Sequence, residues 1–465
     1  MDDVLARLVD EAEKLGASYS EARFQDLATT LVTVENGLLK AYESDRMRGV
    51  GVRVLIDGAW GFSSSSEVKL SQLRKDVRHA IKIAKSSRKK SLNVGVGIGK
   101  SIEDNASVRV KIDPGGVTPE ESMKVSIEAN KAAMISDRIK NSVTRLGTYV
   151  DRRVFVNSER SRVQVCSSMV GLAQLSVAVS GGRMERVMDN ESRCAGFEFI
   201  REKDWGHFCR EISELAVKAV GAPVPNAGTF EVVVDPDLIG LVLHEAFGHA
   251  SEGDLIATKE SVLRGKLGGK VAGSDVTVHD QGVIEGGCFV PYDDEGVPKE
   301  RTTVVNKGVL TGYLQSRQTA VQMGVQSTGN ARAMGFEDSP IVRQTNYYLE
   351  PRDFSLEELA EGIKNGYYIR GRGGTGGQVD VGGGTFTFAA GPSYLIENGE
   401  IRGMVRGTTV SGMVLEALQT IDAIGKDLKI STSVFGGCGK GGQMIRVGDG
   451  GPHVRLRKIT LGGKA

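Results

Sequence analysis

The chain has no excess of charge: 59 Lys and Arg stand against 58 Asp and Glu over 465 residues, a net charge of +1. A protein that grips a polyanion needs a basic face and usually a basic excess, so nucleic acid is not an expected partner. Cysteine is sparse. Cys166, Cys194, Cys209, Cys288 and Cys438 are odd in number, widely spaced and free of any Cys-x-x-Cys pair. That excludes a disulfide framework and predicts a reducing, cytoplasmic setting. No stretch approaches the ~18 apolar residues of a membrane span. The opening MDDVLARLVDEAEKLG has neither a basic start nor an apolar centre, so neither membrane nor export is expected. Histidine is scarce too, with six residues.

Glycine is the abundant residue, with 61 copies concentrated after position 260 in runs such as GRGGTGGQVDVGGG (371–384) and GGCGKGGQ (436–443). Glycine permits positive φ at turns and close backbone approach, so these segments read as β-rich. The apolar share of 40% and charged share of 25% are those of an ordinary globular protein. The length predicts roughly two to three domains, each able to bury a core.

The pattern predicts an α+β fold: an N-terminal α/β region of antiparallel hairpins and helices, then a β-rich C-terminal domain carrying a buried metal-binding helix. Two prolines and two glycines in GAPVPNAG (221–228) mark the boundary, giving domains 1–220 and 221–465, with a subdivision of the first expected near 90–115. Helices are predicted at 4–16, 68–87, 118–137 and 203–220, a short one from Ser355, and another over 409–424. Asn36-Gly37, Asp57-Gly58, Lys307-Gly308 and Asn398-Gly399 predict hairpin turns. Three tempting motifs read as ordinary structure. GVGIGKS (95–101) leaves three residues between Gly95 and its Gly-Lys pair, where a phosphate loop needs four. Asp293, Asp294 and Glu295, followed by Gly296, read as a solvated turn. His207 reads as a surface histidine.

LVLHEAFGHASEGD (241–254) is different. Asp235-Pro236 starts a helix, and Leu238, Ile239, Leu241, Val242, Leu243 and Phe247 make it apolar on nearly all sides, hence buried. His244, Glu245 and His249 are costly there unless they bind something. Five residues of regular α-helix leave the two rings about 140° apart. Either a π-bulge or a loosened turn at Gly248 would bring them together, and both predict an irregular turn at 245–250. A catalytic zinc takes three protein ligands. Asp254, Glu252 and Cys438 are the candidates for the third, and Cys438, between glycines, is favoured; a cysteine nucleophile paired with one of the histidines is the alternative.

HEAFGHASEGD, PYDDEGVP, STGNARA, RQTNYYLEP, GGQVDV, YLIENGEI and GCGKGGQ together resemble the TldD/PmbA metalloproteases, also called modulators of DNA gyrase. The resemblance spans nearly the whole chain. It implies one zinc per chain on His244, His249 and Cys438, with Glu245 as the catalytic carboxylate of an HExxxH motif. It also implies an intracellular peptidase acting on unfolded polypeptide, as a homodimer or a heterodimer with a non-catalytic paralogue. Such a zinc acidifies water toward ~7, and Glu245 takes and returns the proton. Arg332, Arg343, Tyr347 and glycine-loop amides are candidates for substrate or oxyanion contacts, with Gly377 standing for the 371–384 lip. The rival readings are a zinc amidase acting on a small molecule and a non-catalytic binding module with a structural metal.

Overall fold

The computed structural model describes residues 1–88, 94–97, 99–374 and 376–463. It is α+β, in two lobes. The first lobe is one seven-stranded sheet: β1 (Tyr19–Glu35), β2 (Leu38–Ile56), β3 (Ala59–Ser65), β4 (Glu103–Ser107), β5 (Ile139–Asn157), β6 (Arg162–Ser180) and β7 (Arg183–Arg193). The order is β3-β2-β1-β5-β6-β4, with β7 also on β6. The predicted turns form as read: Asn36 and Asp57 take φ of 50° and 49°, and Gly37 and Gly58 follow at 80° and 75°. The 90–115 segment falls partly on residues outside those described, and its described strand β4 joins the same sheet, parallel to β6.

Strand alternation divides this sheet's faces. Even-numbered residues of β1, β2 and β5 (Phe24, Val52, Val54, Val154) are apolar and buried under α1 (Asp2–Lys14) and α2 (Leu70–Ser87). Val32, Val34, Leu146 and Leu172 lie under α3 (Pro119–Ala133) and the helix Trp205–Ala219. Odd-numbered residues of the opposite face are polar: Arg23, Gln25, Arg53 and Arg153 meet the second lobe, and Asp151 accepts from Gln25 and Arg153. Here the structure corrects the reading of 293–295 as a solvated turn. Asp293 and Glu295 are buried. Arg53 donates to Glu295 at 2.7 Å, and Arg153 to Asp294 at 2.8 Å. Buried pairs of this kind fix a relative position more reliably than they add stability.

In the second lobe, β8 (Gly228–Val234) is central to a nine-stranded sheet. One edge of that sheet is the strand Gly376–Asp380, paired antiparallel with Thr385–Ala389. A six-stranded sheet contains Asn346–Leu349 beside Gly448–Gly451. The helix after β8 lies between these sheets, in a core that joins Val232, Leu238, Phe247, Val278, Tyr347 and Phe388. The predicted helix over 409–424 is corrected: Thr408–Met413 and Ile421–Ile424 are strands, and only Val414–Gln419 is helical. The β-branched Thr408, Thr409 and Val410 pair with Gly463, Gly462 and Leu461 instead. Among the described residues no helix is long and apolar enough to cross a membrane.

Candidate metal centre

The site begins with a capped helix. The Asp235 carboxylate accepts from the Leu238 amide at 2.9 Å and from the Gly371 amide at 2.7 Å. Pro236 follows in the first turn, and the α-helix runs Pro236–Val242. It then widens into a π-turn, Leu243–Gly248, and tightens into a 3-10 turn, His249–Ser251. The His249 amide donates to the His244 carbonyl, a five-residue step that makes i and i+5 neighbours. The irregular turn demanded by the spacing is present. The ring centroids of His244 and His249 are 5.3 Å apart, with planes at 74°.

Gly248 lets this turn pack. A Cβ there would lie 2.0 Å from Oε1 of Gln344, whose Nε2 donates to the His244 carbonyl at 3.0 Å. From the far end of the chain, the hairpin Cys438–Lys440/Gln443–Ile445 reaches the same place. Gly437 allows it, since a Cβ there would sit 1.9 Å from the Ile445 carbonyl oxygen. Cys438 Sγ is 2.8 Å from His249 Nε2, and Glu245 Oε2 is 3.8 Å from that nitrogen. One donor atom from each of His244, Glu245, His249 and Cys438 falls within 4.8 Å of all the others.

Electrostatics fit these residues to a soft divalent cation. His244 is buried, and among the described residues neither ring nitrogen has a hydrogen-bond partner. Burial, then the neighbouring His249, holds its imidazole well below the usual value, so the ring is neutral and carries a lone pair. Burial also opposes charge on His249, but the Glu252 carboxylate and Cys438 sulfur outweigh it and push the ring up to about 10. A cation between Nε2 and Sγ satisfies the same electrostatic demand as that proton. Two imidazoles and a thiolate are a donor set that zinc takes. The other two candidates for the third ligand are engaged elsewhere. Glu252 accepts from His249 Nδ1 at 3.1 Å, and Lys440 Nζ lies 2.7 Å from both Glu252 and Asp254.

The centre opens on a groove of about 1250 Å3 between the lobes. His244, Glu245, Cys438 and Asp449 stand on its second-lobe wall, and Asp189 and Glu211 on its first-lobe wall. Arg372 spans it, 2.6 Å from Asp189 and 3.5 Å from Glu211.

The whole chain carries the marks of known proteins. The model of the PmbA/TldA metallopeptidase C-terminal domain matches residues 227–463, and that of domain 1 of the same family matches residues 20–84. A metalloprotease of Methanothermobacter thermautotrophicus is 39% identical over 448 residues, 96% of this chain and 95% of that one. The chain belongs to the PmbA/TldD metallopeptidase family. A Saccharolobus solfataricus protein named a zinc metalloprotease TldD homolog is 27% identical, over 98% of this chain and 99% of its own. The fold is that of TldE from Thermococcus kodakarensis, with a TM-score of 0.78 at 20% identity over 98% of this chain and 99% of that one.

Within this PmbA/TldD chain, several residues expected at substrate are placed otherwise. Arg343 and Tyr347 are fully buried. Arg343 donates to the Gln443 and Cys438 carbonyls, and the Tyr347 hydroxyl lies 3.4 Å from Ser251 Oγ. Both are scaffold: the strand Asn346–Leu349 that carries Tyr347 packs on the π-turn, Arg343 is tied to the cysteine hairpin, and neither lines the groove. Arg332 donates to the Gln344 and Arg446 carbonyls and likewise lies outside the groove lining. Gly377 is exposed on the edge strand Gly376–Asp380; Thr375 of the same glycine run lies outside the described residues. His207 is on the surface, 63% exposed. In GVGIGKS, Ile98 is outside the described residues, and the Gly99 amide donates to the Glu159 carboxylate at 2.9 Å, where a phosphate cradle needs free amides. Lys440 and Gln344 escaped the sequence reading; the signal for Lys440 was its place two residues after the favoured cysteine.

Proposed function

We propose that this chain is a zinc-dependent peptidase that hydrolyses extended, unfolded polypeptide, with one zinc on His244, His249 and Cys438 and Glu245 as the general base. The observation that carries it is the buried His244 ring, unpartnered at both nitrogens, within a donor group that includes Cys438 from 189 residues past His249. When bound, zinc supplies a Lewis acid that acidifies water to near neutrality and draws charge from a carbonyl oxygen.

The chain's own residues supply the rest. The Glu245 side chain is 33% exposed on the groove wall, whereas His249 is 8% exposed, so Glu245 meets solvent and substrate. A carboxylate there accepts a proton from the attacking water and delivers it to the leaving amine, a contribution of about 10²–10⁴-fold. The edge strand Gly376–Asp380 passes beside the π-turn. Its outward backbone groups let a peptide add as a further strand, with main-chain bonds giving affinity with little regard for sequence. A groove of about 1250 Å3 exceeds the ~300–1,000 Å3 usual for small-molecule sites, which favours polypeptide over the amidase reading. Lys440 pairs with Glu252 and Asp254, which weighs against a metal closed by a fourth ligand from that pair.

The same proposal includes a dimer, supported by Leu38 (65% exposed) and Met184 (66%) at the tips of the long β1–β2 and β6–β7 hairpins. It also places the protein in a reducing cytoplasm, in keeping with five free cysteines. The test is turnover of an unstructured fluorogenic peptide by zinc-loaded native protein and Glu245→Gln. Native activity with a loss of about 10²–10⁴-fold in the variant supports the reading, and equal turnover overturns the role of Glu245.

A further inference from the structure

The cysteine hairpin and the histidine turn meet beside the donor group. On the hairpin, Cys438 and Lys440 are two apart, so both side chains leave the same face of the strand. On the turn, His249 and Glu252 are three apart and share one side of the helical path. The pairs face each other as two rungs. Cys438 Sγ is 2.8 Å from His249 Nε2, and Lys440 Nζ is 2.7 Å from Glu252 Oε2. Glu252 is wholly buried and also receives His249 Nδ1 at 3.1 Å. Lys440 has three further contacts, with both oxygens of Asp254 at 2.7 and 2.8 Å and the Val342 carbonyl at 3.0 Å. Its ammonium is therefore tied to the turn, to the start of the next helix and to a neighbouring strand.

We propose that Lys440 and Glu252 form a charged clip that sets the register between the cysteine hairpin and the histidine turn, and so positions Cys438 and His249 for the metal. Glu252 fixes the His249 ring by holding Nδ1, which leaves Nε2 directed at the sulfur. Lys440 fixes the hairpin against the same carboxylate. A one-residue slip of the hairpin would turn both Cys438 and Lys440 to its other face, so the second rung guards the first. Asp254, on the outer side of Lys440 and 30% exposed, anchors the ammonium and has the smaller part. Lys440 and Glu252 are positioning residues: they act through the ligands and touch neither substrate nor metal.

The inference rests on the zinc reading above, and the experiment separates the two. Zinc affinity is measured by chelator competition for native protein, Glu252→Gln, Lys440→Met, the charge-neutral pair Glu252→Gln/Lys440→Met, Asp254→Asn and the control Arg53→Met. The control breaks a buried ion pair with Glu21 and Glu295 remote from the hairpin. The thermal midpoint of each metal-free protein is recorded alongside, with the visible spectrum of each cobalt-loaded form. The expected result is affinity 10–100-fold weaker for Glu252→Gln and Lys440→Met, the range for groups that orient ligands. Their thiolate-to-cobalt and d–d bands should shift. Asp254→Asn should lose less than Glu252→Gln, and Arg53→Met should lower the midpoint while leaving affinity and spectrum unchanged. The double variant removes one charge of each sign, leaves only the 30%-exposed Asp254 carboxylate without its cation, and keeps the test open if Lys440→Met fails to fold. Clip variants that bind zinc as tightly as native protein, with an unchanged cobalt spectrum, would overturn the clip. A native protein that binds no zinc would instead overturn the function proposed above.

Discussion

Replacing Gly248 with alanine tests whether the π-turn is held by packing. Its φ of −63° and ψ of −47° are ordinary helical values, so alanine meets no backbone strain. Helix propensity alone would make Gly248→Ala stabilising by about 1 kcal/mol. The surroundings reverse the sign. The added Cβ would stand 2.0 Å from Oε1 and 2.5 Å from Cδ of Gln344, a side chain only 1% exposed that has to shift within a buried setting. Overpacking of this kind costs about 1–3 kcal/mol. Moving Gln344 also breaks its bond to the His244 carbonyl, about 0.5–1.5 kcal/mol more. The net expectation is a loss of about 0.5–3.5 kcal/mol after propensity is credited. For a lobe of this size that lowers the thermal midpoint by roughly 1–14 °C. The assay is the midpoint by circular dichroism of metal-free protein, with Gly116→Ala as an exposed control whose Cβ would meet nothing within 4 Å. Gly248→Ala/Gln344→Ala restores the space and should recover part of the loss, a non-additivity expected of residues in contact. An alanine variant as stable as native protein, with strictly additive behaviour in the pair, would refute the reasoning.

Two other expectations concern buried polar groups. His244→Leu removes a ring whose nitrogens are unpartnered, so the metal-free variant should be more stable than metal-free native protein by about 1–3 kcal/mol, while the zinc-induced rise in its midpoint disappears; a less stable metal-free variant would contradict this. Burial, then Asp237 and Glu245, raises the Asp449 carboxyl from 3.8 to about 7. A raised carboxyl favours the folded state while protonated. That contribution is complete below the ordinary value of 3.8 and is lost as the pH climbs through about 7. The midpoint of metal-free native protein should therefore fall relative to Asp449→Asn between these limits, and a constant difference across the range would dispose of the assignment.

Features that depend on neighbouring residues alone are legible in the sequence. The hairpins at Asn36-Gly37 and Asp57-Gly58 need only two residues with positive φ. The irregular turn followed from a five-residue spacing that a regular helix cannot reconcile. The position of Cys438 beside His249 was legible because glycines flank the one late cysteine. Features that depend on a partner remote in sequence are not legible. Asp294 reads as solvated until Arg153, 141 positions earlier, is brought beside it, and Lys440 gains its meaning from Glu252 188 positions away. Arg343 and Tyr347 looked available because nothing in their own segment says that a helix lies across it. The error at 409–424 has another cause. Val410, Val414, Leu418 and Ile421 suit a helical period, but the β-branched run at its start and the pairing of Ile421 with Leu456 favour strands on either side of a short helix.

The account depends on one zinc held by two imidazoles and one sulfur. X-ray absorption at the zinc edge measures that directly on the loaded protein. The prediction is one sulfur at about 2.3 Å and two imidazole nitrogens at about 2.0–2.1 Å, with the sulfur shell absent and zinc released in Cys438→Ser. A zinc shell without sulfur, or one unchanged in Cys438→Ser, would contradict the account.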